Sequence, residues 1–595
     1  MARGRIIDDE VIEMPFNKKQ FGRVLTYLKP YRMAVVVTLL LSVVSSLCNL
    51  AGPFLMKIAI DNYIETKMVA GVVGVALAML ACTCVSALCL YLRVRLMDVA
   101  ARKAIAALRQ DLFNHIQELS FNFFDSRSAG KIMVRVINDV NSLMNLLTDG
   151  IINIIIDMFT LIVLIIVMLS INVPLTGLAL CTTPLILLIV VGLKRKMRLR
   201  WQIVRRKSST LNGYLHEALA GMRVTQSFVR EEKNQEIFGE INDDIHHTWM
   251  AAVRINNLFW PCLDNIFMIG TVLIYWFGIR WINLGSITIG TLIAMTNYSG
   301  RFWEPLNNMS NFYNNILVAM ASIERIFEIM DYPIQIQSKP EAVELPPIKG
   351  QVTFDHVTFS YDPEKVILKD VSFDVKPGQT IALVGPTGAG KSTVVNLVSR
   401  FYDTDSGAVR IDGYDVKEVN LHSLREQMGI MLQDSFIFSG TIMDNIRYGR
   451  LDATDEEVIA AAKAVHVHEF VSEMEKGYYT EVNERGSRLS VGQKQLISFA
   501  RALLADPAIL ILDEATSSID THTEILIQQA LDRLLTGRTS FVIAHRLSTI
   551  RKADRIMVVQ DGTIAESGTH DELMAIPGGL YAELVQAQYR FLKVG

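Results

Sequence analysis

The segment 385–392, with the sequence GPTGAGKS, places the strongest constraint on what this chain can fold into. It follows the apolar run Ile381–Val384, which has the pattern of a buried strand, and it precedes Thr393–Val398, which has the pattern of a helix. A strand, a glycine-rich loop and a helix in this order form the context in which the pattern G-x-x-x-x-G-K-[ST] binds phosphate. The second half of the chain is therefore predicted to contain an α/β domain that binds a nucleotide.

The residues of this loop have separate predicted roles. Glycines allow backbone N–H groups to close around the phosphates, and the N-terminus of the following helix adds a favourable field. We expect Lys391 to reach the β- and γ-phosphates and the Ser392 hydroxyl to bind Mg²⁺. The predicted nucleotide-binding residues of this segment are Gly385, Pro386, Thr387, Gly388, Ala389, Gly390, Lys391, Ser392 and Thr393.

The composition indicates a membrane protein of more than one domain. The chain has 595 residues, of which 50% are hydrophobic, and its mean hydropathy is +0.29. The formal net charge of −3 leaves no basic footprint of the kind that nucleic-acid binding requires, so no nucleic-acid partner is predicted. The six cysteines lie in or beside apolar runs without metal-binding spacing, and they are predicted to be small core residues.

Several apolar stretches are long enough to cross a bilayer as helices, which takes about 20 residues. They are Met33–Phe54, Val69–Leu92, Ile151–Ile171, Leu175–Leu193 and Cys262–Ile282. Hydropathy alone scores a sixth span from Ile287 poorly, but six are predicted because a lone fifth would put the nucleotide domain on the opposite side from the N-terminus. The basic amphipathic segment Asn17–Arg32 is expected to lie at the membrane surface before the first span.

Basic residues give the predicted orientation in the plasma membrane. They cluster after the second and fourth spans, in segments 93–109 and 194–200, and the positive-inside rule places both in the cytoplasm with the N-terminus and the nucleotide domain. The second cluster could alternatively bind anionic lipid. Helical periodicity continues through these segments, so the spans are expected to extend as helices beyond the bilayer.

Polar residues recur at helical spacing in the predicted sixth span. Steps of three and four place them on one helix face, and such groups are costly against lipid. They are Asn297, Arg301, Glu304, Asn308, Asn311 and Asn315, with Asp157 in the third span as a further candidate. The stripe, apart from Asn315, is interpreted together with Asp157 as lining a substrate cavity, although pairing of Arg301 with Glu304 and bonding of the Asn residues to neighbouring helices would also satisfy the pattern.

A proline-rich segment, 331–350, is predicted to be a linker to the nucleotide domain. Within that domain, the apolar run Ile509–Leu512 ends in Asp513 and Glu514, which is typical of a strand that delivers two carboxylates beside a P-loop. Asp513 is suited to hold Mg²⁺ through water, and Glu514 to polarise the attacking water as a general base.

The segment 489–493, with the sequence LSVGQ, lies about twenty residues before this carboxylate pair and resembles the signature sequence of ABC transporters. The resemblance implies that Ser490, Gly492 and Gln493 contact nucleotide. It also implies an adenine-stacking role for Tyr361, a Mg²⁺-sensing role for Gln433 and a switch role for His545, and it identifies Asp520 as the D-loop aspartate. The segments 123–125, 216–221 and 480–486 resemble the regions through which the membrane and nucleotide domains of exporters communicate.

One residue departs from the family pattern, because Val491 stands where the signature usually has glycine. A β-branched side chain restricts the backbone and the space at a position that approaches the γ-phosphate held by another subunit. The resemblance therefore favours a heterodimer with a second half-transporter. In that heterodimer, this chain retains Glu514 but has an altered signature. A homodimer that tolerates valine remains open.

The predicted fold is an all-α transmembrane domain of six helices followed by an α/β P-loop nucleotide-binding domain. The predicted boundaries are 1–32 for the N-terminus and surface helix, 33–330 for the membrane domain, 331–350 for the linker and 351–595 for the nucleotide domain. The resemblance implies ATP-driven export of a small amphipathic drug, lipid or peptide by alternating access, with ATP and Mg²⁺. Two alternatives remain: uptake through an exporter-like fold, or an ATPase that regulates a membrane partner.

Overall fold

The computed structural model describes residues 17–431, 435–513, 520–544 and 547–586. They fall into two compact units. The first consists of the described residues up to Ile116 together with Gly130–Asp331, and the second of Gln117–Ala129 together with the described residues from Tyr332 onwards. The chain therefore contributes a short segment from between two predicted spans to the unit that contains the P-loop.

The part of the chain before the linker is helical. Its helices are α1 (Lys18–Thr26), α2 (Arg32–Ile58), α3 (Val69–Glu118), α4 (Phe121–Ser126), α5 (Ala129–Val134), α6 (Val140–Asn145), α7 (Ile151–Ile171), α8 (Val173–Cys181), α9 (Thr183–Ala220), α10 (Met222–Ser227), α11 (Glu231–Asn283), α12 (Ile289–Arg301) and α13 (Trp303–Met330). Short 3₁₀ or π-helical segments lie at Lys29–Tyr31, Ala59–Ile64, Arg135–Asp139 and Leu146–Gly150.

The surface helix predicted before the first span is α1. It begins after Asn17, whose side chain accepts hydrogen bonds from the backbone N–H groups of Lys19 and Gln20 and so caps the helix. Among the described residues, five helical stretches are long and apolar enough to cross a membrane. They are Lys29–Ile64, Val69–Glu118, Ala129–Ile171, Val173–Ala220 and Glu231–Asn283.

The length of these elements exceeds what crossing a bilayer requires, and the predicted helical extensions stay a prediction. Helix α3 has 50 residues, which corresponds to about 75 Å at 1.5 Å per residue and exceeds the hydrocarbon thickness of about 30 Å. The predicted sixth span is not among the five stretches, and its chain is divided into α12 and α13 at Phe302. Pro305 lacks the N–H that would bond to the carbonyl of Arg301, which explains the break. The sixth span stays a prediction.

The second unit is α/β. Its strands are β1 (Val352–Asp362), β2 (Lys365–Val375), β3 (Thr380–Val384), β4 (Ser406–Ile411), β5 (Tyr414–Asp415), β6 (Met428–Met431), β7 (Gly440–Thr441), β8 (Glu481–Val482), β9 (Ile509–Asp513), β10 (Thr539–Ile543), β11 (Arg555–Gln560) and β12 (Thr563–Gly568). Its remaining helices are α14 (Lys391–Val398), α15 (Leu421–Arg425), α16 (Ile442–Arg447), α17 (Asp455–Ala464), α18 (Val467–Ser472), α19 (Val491–Ala505), α20 (Thr521–Leu535), α21 (Leu547–Lys552) and α22 (His570–Met574).

Two larger sheets organise this unit. One is antiparallel, with the order β2-β1-β4-β5, and the other has the order β12-β11-β3-β10-β9-β6, with parallel pairing from β11 to β6. Alternate residues of β3 enter opposite cores: Ala382 and Val384 pack in one cluster, and Ile381 and Leu383 in the other. A sheet buried on both faces accounts for the uninterrupted apolar runs in the sequence.

Candidate functional site

The P-loop connects β3 to α14, as its sequence predicts. Three of its glycines have positive φ: +145° at Gly385, +83° at Gly388 and +111° at Gly390. These angles are poorly accessible to other residues, so the sharp path of the loop depends on glycine. The loop holds Pro386, Thr387 and Ala389 between these positions, while Lys391, Ser392 and Thr393 open α14.

Lys391 forms hydrogen bonds with the backbone of its own loop. Its Nζ donates hydrogen bonds to the carbonyl oxygens of Gly385 and Pro386, each at 2.9 Å. Burial lowers the pKa of this ammonium, and the negative charge of Asp513 acts in the opposite direction. A loop that presents the N-terminus of a helix and a partly buried ammonium has the chemistry to bind a polyphosphate.

Sheet register explains why Asp513 acts on Lys391. Strand β10 pairs in parallel with both β3 and β9, and Ile543 is aligned with Leu383 on one side and Asp513 on the other. The carboxyl ends of the three strands therefore share one edge of the sheet, where ligands of open α/β sheets bind. Asp513 and Ser392 are the described residues that would hold Mg²⁺, whose chemistry is to neutralise charge on the phosphates.

Tyr361 lies near the end of β1, and its ring packs against two other aromatic rings. Its ring meets the rings of Phe359 and Tyr402 edge to face, each with a centroid distance of 4.9 Å. Its hydroxyl accepts a hydrogen bond of 3.2 Å from Nδ2 of Asn396 on α14. Tyr361 is still 43% exposed, which leaves an aromatic surface on which a base can stack.

The signature segment forms the start of α19. Ser490 is the N-cap, and a capping box joins it to Gln493: Oγ of Ser490 accepts from the N–H of Gln493, and Oε1 of Gln493 accepts from the N–H of Ser490. Gly492 is buried, whereas Val491 is 56% exposed. The valine side chain is therefore on the surface of the unit, at the position that the resemblance assigns to a facing subunit.

Three predicted residues of the nucleotide site lie outside the described residues. They are Gln433, Glu514 and His545. The strands that precede them, β6, β9 and β10, are described, and they lie next to one another in the six-stranded sheet. The roles of these three side chains stay predictions. Asp520, the D-loop aspartate of the resemblance, is the N-cap of α20 and accepts a hydrogen bond from the N–H of Thr523.

The polar residues of the predicted sixth span divide at the break between α12 and α13. On α12, Asn297 donates to the carbonyl of its own helix at Ile293, and Arg301 donates to the carbonyl oxygen of Asn49 at 2.6 Å. Arg301 is thus directed to α2. Helix α13 carries Glu304, Asn308 and Asn311.

A separate polar cluster includes Asp157 of α7. Asn308 hydrogen-bonds to its carboxyl group, and the charges of Glu304 and Arg93 act on it. Arg93 of α3 donates to Oδ1 of Asn153, one helical turn before Asp157, at 2.5 Å. Oδ2 of Asp157 is buried and has no hydrogen-bond partner among the described residues. The cluster therefore contains an acceptor that can still bind a donor.

Sequence reasoning missed Tyr402 and Asn396, which hold Tyr361 in place. Neither belongs to a recognisable nucleotide-binding pattern, and their contacts with Tyr361 arise only when β1 packs beside the chain that follows the P-loop. The aromatic pair Phe401 and Tyr402, a few residues after α14, was the one available signal, and it carries no indication of its partners.

The two units together define a class of protein: a P-loop ATPase joined in one chain to helices of membrane-spanning length. The chain belongs to the ABC transporter family. Residues 35–306 match the family described as ABC transporter transmembrane region, and residues 368–517 match the one described as ABC transporter. It is an exporter-type half-transporter and a multi-pass membrane protein, and its ATPase activity is coupled to transport.

Relatives match over most of the chain. An uncharacterized ABC transporter ATP-binding protein, YknV of Bacillus subtilis (strain 168), is 48% identical over 98% of this chain and 96% of its own length. A fatty acid ABC transporter ATP-binding/permease protein of Mycobacterium tuberculosis (strain CDC 1551 / Oshkosh) is 40% identical over 84% of this chain and 79% of its own length. An ATP-dependent lipid A-core flippase of Syntrophus aciditrophicus (strain SB) is 36% identical over 97% of this chain and 95% of its own length.

Proposed function

We propose that this protein exports amphipathic compounds that carry a cationic group, as one half of a dimer that alternates between inward-facing and outward-facing states. The observation that carries the proposal is the buried Oδ2 of Asp157, which has no hydrogen-bond partner among the described residues and lies within an apolar helix. The relatives named as fatty acid transporter and lipid A-core flippase support an amphipathic substrate.

Asp157 is the one charged residue in α7, whose 21 residues are otherwise almost entirely apolar. An ionisable group within a membrane-spanning helix is costly unless it faces the interior of a helix bundle or an aqueous path. With Glu304 and Arg93 acting on it, the cluster contains two acidic groups and one basic group. An amphipathic cation would balance this charge and place its donor on the free Oδ2, while its apolar part would contact the surrounding helices.

The nucleotide site would drive the conformational cycle from the cytoplasmic side. Tyr361 would stack on adenine, the loop from Gly385 with Lys391 would hold the phosphates, and Glu514 would act as the general base on the attacking water. Gln433 and His545 would complete the site, with Ser490, Gly492 and Gln493 contributed to the site of a facing subunit. ATP held between two subunits would favour the outward-facing state, which hydrolysis would release.

Transport is tested with inside-out membrane vesicles that contain the protein, supplied with ATP and Mg²⁺ and a fluorescent cationic amphiphile. We expect the dye to accumulate inside, and Asp157→Asn to reduce its accumulation by roughly ten-fold because the substitution removes the negative charge that faces the cation. A neutral lipid analogue of similar size serves as the matched substrate, and its transport should change by less than about two-fold in the same variant.

Other outcomes would contradict the proposal in recognisable ways. Loss of preloaded dye from these vesicles on addition of ATP would indicate uptake into the cell. No movement of any amphiphile, together with ATP hydrolysis that no amphiphile stimulates, would favour a regulatory ATPase. Equal loss of cation and neutral-lipid transport in Asp157→Asn would contradict the cationic substrate while leaving export intact.

Two exposed features support a partner subunit. The segment around α10 presents apolar side chains to solvent, with Val224 62%, Phe228 71% and Val229 80% exposed. Apolar groups clustered in this way mark a surface that another protein covers. Val491, also exposed, would face the nucleotide of the partner and weaken catalysis there, so we propose a heterodimer in which the partner supplies an unaltered signature.

The partner proposal is tested on this chain alone. If Val491 is what prevents a homodimer from hydrolysing ATP, Val491→Gly should raise the ATPase rate of the purified chain by roughly ten-fold. Val491→Ala removes the β-branch but retains Cβ, so its ATPase rate should lie between those of the wild type and Val491→Gly. A wild-type chain that already hydrolyses ATP as fast as Val491→Gly would show that the homodimer tolerates valine.

A further inference from the structure

Arg301 lies where the backbone hydrogen bonding of two helices is interrupted by proline. One interruption is in α2, where Pro53 lies inside the helix. Proline has no N–H, so the carbonyl oxygen of Asn49, four residues earlier, loses its helical donor. The other interruption separates α12 from α13, where Pro305 withholds the corresponding bond from the carbonyl of Arg301 itself. A single residue is therefore involved in both.

The guanidinium of Arg301 supplies α2 with a donor that Pro53 cannot provide. Its Nη1 donates to the carbonyl oxygen of Asn49 at 2.6 Å. A hydrogen bond from a cationic donor is stronger than one between neutral groups. A backbone carbonyl without a partner is costly in a membrane-spanning helix wherever the bilayer excludes water. The side chain of Arg301 thus takes over a bond that the backbone of α2 cannot make.

Tyr298, three residues before Arg301 in α12, contacts the next carbonyl of α2. Its side chain is buried, and its hydroxyl donates to the carbonyl oxygen of Leu50 at 2.7 Å. Leu50 differs from Asn49 because the residue four positions later, Phe54, has an N–H that the helix can use. The bond from Tyr298 is therefore additional to the helical bonding of α2, whereas the bond from Arg301 replaces a missing one.

The first residues of α12 are also joined to the chain that follows α2. Asp61 belongs to the π-helical segment Ala59–Ile64, and its carboxylate accepts from the N–H of Gly290 at 2.8 Å and from Oγ1 of Thr288, the N-cap of α12, at 2.6 Å. The backbones approach closely, because a Cβ at Gly290 would lie 2.7 Å from the carbonyl oxygen of Lys57. Helix α12 is therefore bonded to this part of the chain from its N-cap to its last residue.

We propose that Arg301 is a positioning residue for transport: its guanidinium replaces the N–H that Pro53 withholds and so keeps α12 against α2. Any movement of α12 away from α2 must break this bond and leave the carbonyl of Asn49 without a donor. The bond therefore stabilises the arrangement of the two helices in this structure over any in which they separate. The role does not depend on the identity of the substrate, since the atom that Arg301 contacts belongs to the protein.

The test is amide hydrogen exchange of the segment 54–64 in the full-length protein, held in lipid nanodiscs. Arg301→Met keeps a long unbranched side chain and removes its donors, so we expect exchange in this segment to accelerate by about five-fold or more. Pro53→Ala restores an N–H to α2. In that background, Arg301→Met should accelerate exchange by less than about two-fold, because the carbonyl of Asn49 again has a helical donor.

Matched variants separate this role from general damage to the helices. Arg301→Lys retains a cationic donor and should exchange within about two-fold of the wild type. Tyr298→Phe removes a bond from a carbonyl that keeps its helical donor, so its effect should be smaller than that of Arg301→Met and the same with and without Pro53→Ala. Arg280→Met removes an exposed arginine from the last turn of α11 and should behave as the wild type does.

Transport of the cationic dye into inside-out vesicles gives a second readout. We expect Arg301→Met to lower the transport rate by about five-fold, and the double variant with Pro53→Ala to transport within about two-fold of Pro53→Ala alone. The restored N–H lies in the backbone of α2, where it can replace a bond to Asn49 but not a contact between arginine and substrate. If Pro53→Ala itself stops transport, the exchange measurements decide.

Unchanged exchange in Arg301→Met would overturn the proposal, and so would an acceleration that is equally large in the presence of Pro53→Ala. Loss of transport in Arg301→Met that Pro53→Ala does not restore, with exchange unchanged, would assign the arginine to substrate instead. A wild-type protein that does not move the dye would contradict the proposed function and leave the exchange test of Arg301 intact.

Discussion

Replacement of Glu514 by glutamine is expected to lower steady-state ATP hydrolysis by about 100-fold or more, since a positioned general base contributes about 10²–10⁴ to a rate. The affinity for ATP should change by less than about three-fold, because binding is proposed to depend on the P-loop and on Tyr361 rather than on proton transfer. Glutamine keeps the size and the hydrogen-bonding capacity of glutamate and loses its basicity.

The described residues next to Glu514 in the chain support this expectation. Strand β9 ends at Asp513, in register with the strand beside β3, and the charge of Asp513 acts on Lys391 of the P-loop. The first carboxylate of the pair is therefore close enough to the P-loop to act on Lys391. We expect the second carboxylate to serve the same site, with the first committed to Mg²⁺.

Rates of phosphate release and equilibrium binding of a fluorescent ATP derivative are the two measurements. Glu473→Gln provides the matched control, because it makes the same change at an exposed position just after α18. Hydrolysis by Glu514→Gln at the wild-type rate would remove Glu514 from the mechanism. Parallel loss of hydrolysis and of ATP binding would point instead to damage to the site.

The sequence pattern was sufficient to predict those features that depend on residues adjacent in the chain. The P-loop lies between β3 and α14 as predicted, since the strand, the glycines and the helix are contiguous. The position of Asp513 was also predictable, because parallel strands end at the same edge as their neighbours, and Asp513 acts on Lys391. Glu514, the other member of the pair, lies outside the described residues, and its role stays a prediction. Segment 331–350 contains no helix or strand, apart from an isolated bridge between Val343 and Val419, and its role as a linker stays a prediction.

The features that the sequence did not predict depend on tertiary contacts. The helical spacing of the polar stripe assumed one continuous helix, and the break at Phe302 leaves Arg301 bonded to α2 while Asn308 bonds to Asp157 of α7. Periodicity cannot reveal where a proline interrupts a helix that packing could otherwise keep intact. The contact of Tyr402 with Asp125 spans 277 positions of the sequence, and no local pattern records it.

Gly385→Ala is expected to destabilise the nucleotide-binding unit by about 3 kcal/mol or more, because it combines a steric clash with backbone strain. A Cβ at this position would lie 2.1 Å from the carbonyl oxygen of Val559, and the φ of +145° is rarely adopted by residues with a side chain. The carbonyl belongs to β11, which pairs with β3, so it has little freedom to move away. Thermal unfolding of the full-length protein should show a fall in Tm of roughly 6 °C or more for this unit.

Gly388→Ala provides the matched comparison within the same loop. A Cβ there would meet nothing within 4 Å, and the cost is limited to a φ of +83°, which amounts to about 1 kcal/mol. The fall in Tm should therefore be below about 4 °C. If Gly385→Ala were no less stable than Gly388→Ala, the carbonyl of Val559 would have to move without disturbing the sheet, and the steric argument would be wrong.

The loss of stability is expected to be larger for Gly385→Ala, whereas ATP affinity is expected to respond to Gly388→Ala. A Cβ at Gly388 would meet no protein atom within 4 Å, so a methyl group there costs little sterically in the protein alone, and we expect it to meet the phosphates that are proposed to bind in this loop. We expect Gly388→Ala to weaken ATP binding by about ten-fold at temperatures where the protein is fully folded. The motif requires glycine at 385 and admits any residue at 388, but a positive φ favours glycine at both positions. At 385 the carbonyl of Val559 adds a steric clash, and at 388 we expect the bound phosphates to add one.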